Sequence, residues 1–373
     1  MNTLEHPAPP ESRATVGAFD LFERLAADDY EQLVILQNRE TGLRGFLAIH
    51  DTTLGPAFGG VRIKPYAGER DALDDALRLA RAMTYKCSLA GLPCGGGKSV
   101  LLEHPGLDRA AALESFGAVV ESLRGRYFCA RDVGMTESGL AAIARATRFV
   151  ARDPAPGLGD ISEHTAIGVW HALRAALELA GLRGKIRVAL QGTGAVGAWL
   201  ARILAREGFE LVVADAEESR AAAVAREAHA RLVPAGEIIS ADADVFAPCA
   251  LGGVLNRETI PRLACRVVCG CANNVLASPE DGDALAARGI AYVPDYLANA
   301  GGVTRLADYF LLRRGGSGPS LMRIYDRTLE VFRAARESGI TPERAAARLA
   351  AARLKARKTF RDVSWEGALR PQA

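Results

Sequence analysis

The chain has 373 residues, 49% apolar and 24% charged, a balance that suits two globular domains each burying its own core. A formal net charge of +2 gives no electrostatic pull towards nucleic acid or an anionic membrane. The N-terminal MNTLEHPAPPESR lacks the apolar core of a secretory signal and no apolar run is long enough to span a bilayer, so a cytoplasmic protein is expected.

After a polar arm of some twenty residues, the segment 31–60 alternates apolar and polar residues between turn signals and reads as a hairpin of strands. Residues 71–90, DALDDALRLARAMTYKCSLA, carry apolar positions at helical spacing behind an acidic first turn, which predicts a helix with Lys86 on its last turn. The next stretch, GLPCGGGKSV at 91–100, ends like a phosphate-binding loop. That motif, G-x-x-x-x-G-K-[ST], needs its first glycine at position 92, and this chain has Leu92 there, with Gly91 one place off. The spacing argues against a phosphate loop. A short strand is expected at Ser99–Leu102, and a helix over about 108–123 with the apolar YFCARDVGM completes a first domain, 1–150.

The segment ARDPAPGLGD, 151–160, reads as a hinge into a second domain, 151–340. A helix over about 163–180 leads into KIRVALQGTGAVGAWLARILAREGFELVVADAEESR, a strand, glycine turn, helix and strand in succession. The alternation continues through VFAPCA, RVVCGCANN and IAYVPDY and predicts a parallel sheet. Within it, Gly192-Thr193-Gly194-Ala195-Val196-Gly197 is G-x-G-x-x-G, following the apolar Ile186–Leu190 and opening a helix, which is the context a dinucleotide site requires. The first glycine makes the turn, the second lets backbone approach pyrophosphate, and the third lets helix pack on strand, while the helix N-terminus faces the phosphates. Asp215 closes the second strand, 18 residues after Gly197, where a carboxylate accepts from the adenine-ribose hydroxyls and repels a 2′-phosphate. NAD is therefore expected over NADP. After GGSG at 315–318, helices over about 320–338 and 343–357 close the chain, and the part from about 340 to 373 is expected to pack back on the first domain.

The seven cysteines are odd in number and contain no C-x2-C pair, and the six histidines show no ligand spacing, so buried thiols and no metal are expected. Only six of the 46 basic residues are lysines, and Lys86 and Lys98 lie on either side of the glycine run. A desolvated lysine can lose its proton, which an arginine does not. Free lysine has a pKa of about 10.4, and burial beside a second positive charge lowers it towards the range a general base needs.

Six segments, PAFGGVR (56–62), LARAMTYKCSLAGLPCGGGKSVL (79–101), ARDVG (130–134), FAPCALGG (246–253), CANN (271–274) and PDYLANAGG (294–302), carry a resemblance. In order and spacing, across roughly residues 30–360, the chain resembles the glutamate/leucine/phenylalanine/valine dehydrogenases, closest to the NAD-dependent leucine type. The resemblance implies an α/β fold with an N-terminal substrate and oligomerisation domain, a C-terminal Rossmann domain for NAD, and an active site in the cleft between them. It implies reversible oxidative deamination of an L-amino acid to the 2-oxo acid, with release of ammonia, by a homo-oligomer. By the same resemblance Lys86 binds the substrate carboxylate, Lys98 activates water for attack on the imine carbon, and Asp132 passes protons to and from the amino group. Gly59 and Gly60 close on the substrate, Asn274 lies near substrate carboxylate and nicotinamide, and Thr165 joins the cofactor site. Phe58, Ala130, Val303 and Leu306 are implied to meet the substrate side chain.

Glutamate-specific relatives carry a lysine where Phe58 stands and a small hydroxyl residue where Leu306 stands. An apolar lining leaves a buried carboxylate unpaired at a cost of several kcal/mol, so branched-chain or aromatic substrates are expected. Four positions depart from the leucine-type pattern: Arg131 replaces a glutamate, Met135 a threonine, and GGVTR and ADY, with Arg305 and Tyr309, replace GGVIN and ADE. With two new arginines and a tyrosine read as near the cleft, an enzyme for a specialised 2-oxo acid, or an NAD-binding regulatory protein without activity, stand as alternatives. A P-loop kinase or NTPase is the rival from another class.

Overall fold

The computed structural model describes residues 20–152 and 157–358. Helix α1 (Leu21–Ala27) starts at Asp20, whose carboxylate accepts from the Glu23 N–H at 3.0 Å. The alternating segment then forms the antiparallel hairpin of β1 (Gln32–Asn38) and β2 (Leu43–Asp51). Next come β3 (Ala57–Lys64), α2 (Glu69–Leu89), β4 (Gly95–Leu102), α3 (Arg109–Ser122), β5 (Tyr127–Arg131) and α4 (Glu137–Ala144). Strand β4 inserts between β2 and β3, so the first sheet runs β1-β2-β4-β3-β5. It is antiparallel at β2–β4 and parallel from β4 through β3 to β5. The polar arm, and residues 153–156 of the expected hinge, lie outside the described residues.

The glycine run corrects one expectation. The strand begins at Gly95 rather than Ser99, so the three glycines are strand and not a loop leading to a helix. Glycine is depleted in strands because it adds no packing, and it is tolerated where another backbone approaches closely. Such an approach occurs here. A Cβ on Gly96 would collide with the backbone nitrogen of Thr84 in α2, and one on Gly97 would lie 2.8 Å from the Tyr127 ring.

The second sheet is built as the strand–helix alternation requires. Helix α5 (Ile161–Leu179) leads to β6 (Arg187–Gln191), α6 (Ala195–Arg206), β7 (Glu210–Ala214), α7 (Glu218–Glu227), β8 (Arg231–Leu232), β9 (Val245–Pro248), β10 (Val267–Val268), α8 (Pro279–Ala287) and β11 (Ala291–Tyr292). All its strands are parallel, in the order β11-β10-β9-β6-β7-β8. Consecutive crossovers run one way from β6 and the other way from β9, so a switch point falls between β6 and β9, where doubly wound sheets hold a dinucleotide. This is the expected α/β architecture with a Rossmann-type parallel sheet.

Four helices finish the described chain: α9 (Asp295–Ala298), α10 (Gly301–Phe310), α11 (Gly318–Ser338) and α12 (Pro342–Lys358). Helix α12 lies against α2. Ser88 Oγ donates to the Ala350 carbonyl at 2.8 Å, and Arg353 donates to the carbonyls of Ser88 (2.7 Å) and Leu92 (3.1 Å). One apolar cluster runs through both sheets, joining Phe58, Phe116 and Tyr127 of the first to Val188, Leu190 and Val245 of the second.

Candidate active site

Gly96 and Lys98, two apart on β4, project to the same face of the sheet, the one that α2 covers. Lys98 is only 6% exposed, and its Nζ forms an ion pair with Asp132 Oδ2 just beyond β5. Asp132 Oδ1 accepts from the Val133 N–H at 2.6 Å and faces Arg62 at 3.5 Å. Arg62 in turn pairs with Asp75 at 2.8 Å, whose carboxylate also accepts from Tyr66 (2.7 Å) and Arg78 (2.6 Å). Burial first, then the positive charges of Arg62 and Lys86, drive the Lys98 pKa well below that of a free lysine. Gly60 on β3 gives Asp132 its room, since a Cβ there would lie 2.7 Å from Asp132 Cβ, and a Cβ on Gly59 would collide with the Gly97 carbonyl. The structure thus brings Gly59, Gly60, Lys98 and Asp132 together.

Lys86 sits on the last turn of α2 and donates to Asn273 Oδ1 at 3.2 Å. Burial lowers its pKa, an effect that Asp295 opposes. Asn299 donates to the same Asn273 oxygen at 2.9 Å. Asn273 was missed from sequence, where its neighbour Asn274 was chosen. Asn274 is in the left-handed region at φ 53°, a conformation asparagine tolerates, and its carbonyl accepts from the Gly253 N–H at 2.7 Å. That turn aims Asn273 at Lys86, and two adjacent asparagines in a sequence do not say which will face the site. A cavity of about 1160 Å³ opens beside α2, lined among others by Tyr66, Asp75, Asn274, Asp295 and Glu343. Burial, then the Asp295 charge, pushes the Glu343 carboxyl up to about 8.

The apolar residues occupy a separate side of this region. Phe58 is 1% exposed and stacks on Phe128 at 5.0 Å, and Phe128 also meets Phe149 and, across from α10, Phe310 at 6.1 Å. Ala130 is half-buried on β5, and Val303 and Leu306 are buried on α10. Phe58 is therefore tied into an aromatic cluster, of which Phe128 and Phe310 were missed.

At the other glycine stretch the backbone forms the expected turn. Gly192 has φ 95°, in the region that favours glycine, and donates its N–H to the Ala214 carbonyl at 2.7 Å. Nothing stands within 4 Å of a Cβ placed on Gly194, the N-cap of α6, and no side chain caps this helix end. The first-turn N–H groups of Ala195, Val196 and Gly197 leave the positive end of α6 open, which fits a pyrophosphate. Asp215 Oδ2 accepts from the backbone N–H (2.7 Å) and hydroxyl (3.1 Å) of Thr193. Burial opposes ionisation of Asp215, but hydrogen bonds from Arg220, Glu217 and Thr193 outweigh it and hold the carboxyl far below its ordinary range. Arg220, five residues after Asp215, pairs with it at 2.7 Å and was not singled out from sequence. Thr165 lies on α5, its hydroxyl donating to the Ile161 carbonyl at 2.8 Å and facing Gly302 of α10.

Of the four departures, Met135 donates its backbone N–H to the Asp132 carbonyl at 3.0 Å, and Tyr309 packs edge-on against Phe310 with ring centres 4.9 Å apart. Arg305, read as near the cleft, is 1% exposed. It donates to the carbonyls of Leu158 (2.7 Å), Arg314 (3.1 Å), Gly315 (3.3 Å) and Gly157, tying α10 to both flanking loops. Its guanidinium lies 5.4 Å from the Tyr309 ring centre, which places Tyr309 in the same clamp. Met135 is buried, and the exposed Arg131 pairs with Glu137 at 3.3 Å. Among the described residues no cluster of His, Cys, Asp and Glu side chains is placed to hold a metal ion.

Residues 32–149 match the Glu/Leu/Phe/Val dehydrogenase dimerisation domain, and residues 210–307 match the glutamate/leucine/phenylalanine/valine dehydrogenase domain. A leucine dehydrogenase of Thermoactinomyces intermedius is 43% identical over 352 residues, which cover 91% of this chain and 96% of that one. The chain belongs to the Glu/Leu/Phe/Val dehydrogenase family. It is an amino acid dehydrogenase, an oxidoreductase acting on CH–NH2 donors with a nicotinamide cofactor. Another member, the L-tryptophan dehydrogenase of Nostoc punctiforme, has a crystal structure that superposes with a TM-score of 0.79. That match, at 37% identity, covers 91% of this chain and all of the other. A hetero-hexameric glutamate dehydrogenase from Thermus thermophilus, 24% identical, shares the fold with a TM-score of 0.73 over 90% of this chain and 91% of that one. Family membership and the strand conformation of Gly95–Gly97 together set aside a P-loop kinase or NTPase.

Proposed function

We propose that this enzyme carries out the reversible NAD-dependent oxidative deamination of a branched-chain or aromatic L-amino acid to the 2-oxo acid, releasing ammonia. The observation that carries the proposal is the buried Lys98–Asp132 pair, with Lys86 beside it and an aromatic cluster nearby. Lys86, where Asp295 opposes the lowering of its pKa by burial, binds the α-carboxylate, and Asn273 orients its side-chain nitrogen. Asp132 takes a proton from the substrate ammonium. The nicotinamide, when bound, supplies the hydride acceptor. Lys98, whose burial favours the neutral amine, then takes a proton from water as the water oxygen adds to the imine carbon. A proton shared between Lys98 Nζ and Asp132 Oδ2 passes to nitrogen, and as the C–N bond breaks and ammonia leaves, the same pair takes up the proton of the added hydroxyl. Water supplies the 2-oxo oxygen.

Phe58, Phe128, Ala130, Val303 and Leu306 offer no partner for a side-chain carboxylate, which supports apolar over acidic substrates. The ionised Asp215 at the end of β7 supports NAD over NADP. The turn at Gly192, Thr193, Gly194, Ala195, Val196 and Gly197 is assigned to the pyrophosphate, with Thr165 and Asn274 near the nicotinamide and Gly59 and Gly60 closing on substrate. The division at residues 150/151, with α12 returning to the first unit, follows the two sheets. Assembly as a homo-oligomer through the first unit is supported by its match to a dimerisation domain and by Ile35, exposed on the edge strand β1. A cytoplasmic location accords with the absence, among the described residues, of any helix long and apolar enough to cross a membrane.

The test is NADH formation with L-leucine, L-valine, L-phenylalanine, L-tryptophan and L-glutamate, repeated with NADP. Turnover of one or more of the apolar substrates with NAD is expected. Turnover of glutamate alone overturns the apolar pocket, and a preference for NADP overturns the role of Asp215.

A further inference from the structure

All seven cysteines are free thiols, and two of them meet where β9 and β10 end. These strands pair in parallel with Val245 opposite Val267 and Phe246 opposite Val268. The ladder continues from the Cys269 N–H to the Phe246 carbonyl at 3.1 Å, then slips by one residue so that the Ala272 N–H meets the Pro248 carbonyl at 3.0 Å. The slip sets Cys271 over Cys249, its Sγ 3.9 Å from the Cys249 carbonyl oxygen. Both side chains pack on the same apolar cluster as Val245, Ala247, Val267 and Cys269, and so share one face of the sheet. Neighbouring strands lie about 4.8 Å apart and a disulfide spans Cα atoms about 4.4–6.8 Å apart, so chain segments leaving two adjacent strands side by side are within reach of one. Both residues are half-buried, unlike Cys87 and Cys94, which adjoin each other in the closed core at 0% exposure.

The pair lies on the dinucleotide crevice. The Cys249 N–H donates to the Gln191 carbonyl at 2.7 Å, and a Cβ on Gly192 would lie 2.8 Å from the Cys249 carbonyl carbon. On the other side, the Cys271 carbonyl accepts from Asn299 at 3.2 Å, and the same Asn299 amide holds Asn273, the partner of Lys86. Cys249 therefore backs the glycine turn, and Cys271 is one hydrogen bond removed from the substrate lysine's partner.

We propose that Cys249 and Cys271 form a peroxide-oxidisable dithiol whose disulfide distorts the dinucleotide turn and stops catalysis. The inhibitory consequence rests on reading Gly192–Gly197 as the cofactor turn. A hydrogen bond to the Cys249 thiol, followed by burial, pushes the Cys271 thiol well up, so Cys271 serves as the resolving thiol and Cys249 meets the peroxide. The Cys249 thiolate attacks one peroxide oxygen, the O–O bond breaks, and a sulfenic acid and hydroxide result, the hydroxide taking up the proton lost from Cys249. The Cys271 sulfur then displaces the sulfenic hydroxyl, the S–S bond forms, and that hydroxyl leaves as water with the Cys271 proton. Two thiols and one hydrogen peroxide give one disulfide and two waters.

The full-length enzyme is treated with graded hydrogen peroxide, and its thiols are mapped by alkylation and peptide mass alongside activity and NADH binding. The expected result is a Cys249–Cys271 crosslink with loss of most of the activity and NADH affinity, restored by dithiothreitol and slowed by saturating NAD. Cys271→Ser and Cys271→Ala should each keep basal activity and no longer show the dithiothreitol-reversible loss. Free alkylation of both cysteines after peroxide, or a crosslinked enzyme that binds NADH as the reduced one does, overturns the proposal. Thiol mapping needs no cofactor, so an error in the cofactor-turn assignment shows separately, as a Cys249–Cys271 crosslink that forms in full while NADH binding stays unaltered.

Discussion

At Gly95–Gly97 the missing Cβ atoms let protein meet protein, since α2 lies so close on β4 that the Thr84 backbone occupies the place of a Gly96 side chain. At Gly194 the missing Cβ leaves open space at an uncapped helix end. The two stretches look alike in sequence, and each is followed by a residue suited to phosphate: a lysine in one case, a helix N-terminus in the other. Their surroundings separate them. The first buries Lys98 and lowers its pKa, which disposes it to give and take protons, whereas the second presents backbone donors to solvent. Glycine marks close approach, and the neighbouring elements decide whether helix or ligand fills the space.

The contrast can be broken by experiment. The largest effect is expected at Asp132, where Asp132→Asn should lower kcat by about 100- to 10,000-fold while leaving NADH affinity unchanged, as steady-state kinetics and fluorescence titration would show. A loss of NADH affinity would mean that the two glycine regions share one task. Next, Gly96→Ala should destabilise the fold by about 1–3 kcal/mol through overpacking, measured by urea denaturation. Gly194→Ala should change stability by less than about 0.5 kcal/mol and instead raise the KM for NAD. Equal destabilisation by the two would erase the distinction.

A smaller, pH-dependent effect is expected at Glu343, whose folded pKa is raised to about 8 by burial and Asp295. A raised folded pKa means that the stability linked to this group is fully present below the ordinary carboxylate value of about 4.3 and is lost as pH rises towards about 8. Glu343→Gln should therefore flatten the decline in Tm between pH 5 and pH 8 (roughly the window set by those two values), and an unchanged slope would place the titration elsewhere. The smallest effect belongs to Arg131, an exposed partner of Glu137, where Arg131→Ala should cost about 0–1 kcal/mol and leave kcat unaltered. A large change in kcat would return this departure to the active site.

The parts of the fold readable from sequence are those set by local pattern. The apolar spacing of α2 and the succession of β6, glycine turn, α6 and β7 are each contained within about 30 residues, and both stand as expected. The strand at Gly95–Gly97 was not legible, because the backbone that requires glycine belongs to another element. Asn273 was passed over for Asn274 because the left-handed turn that orients them exists only once the chain folds. The burial of Arg305 was not legible either, because the carbonyls that bury it come from Gly157–Leu158 and Arg314–Gly315. Charged side chains are usually exposed, and this convergence of backbone acceptors, with the Tyr309 ring beside it, makes a buried arginine tenable.

The most direct test of the central claim is Lys98→Ala, read out as both kcat for amino acid deamination and Kd for NADH. A base predicts a fall in kcat of about 100- to 10,000-fold with the NADH Kd unchanged. Full activity in the variant, or a weakened NADH Kd with chemistry intact, would contradict it.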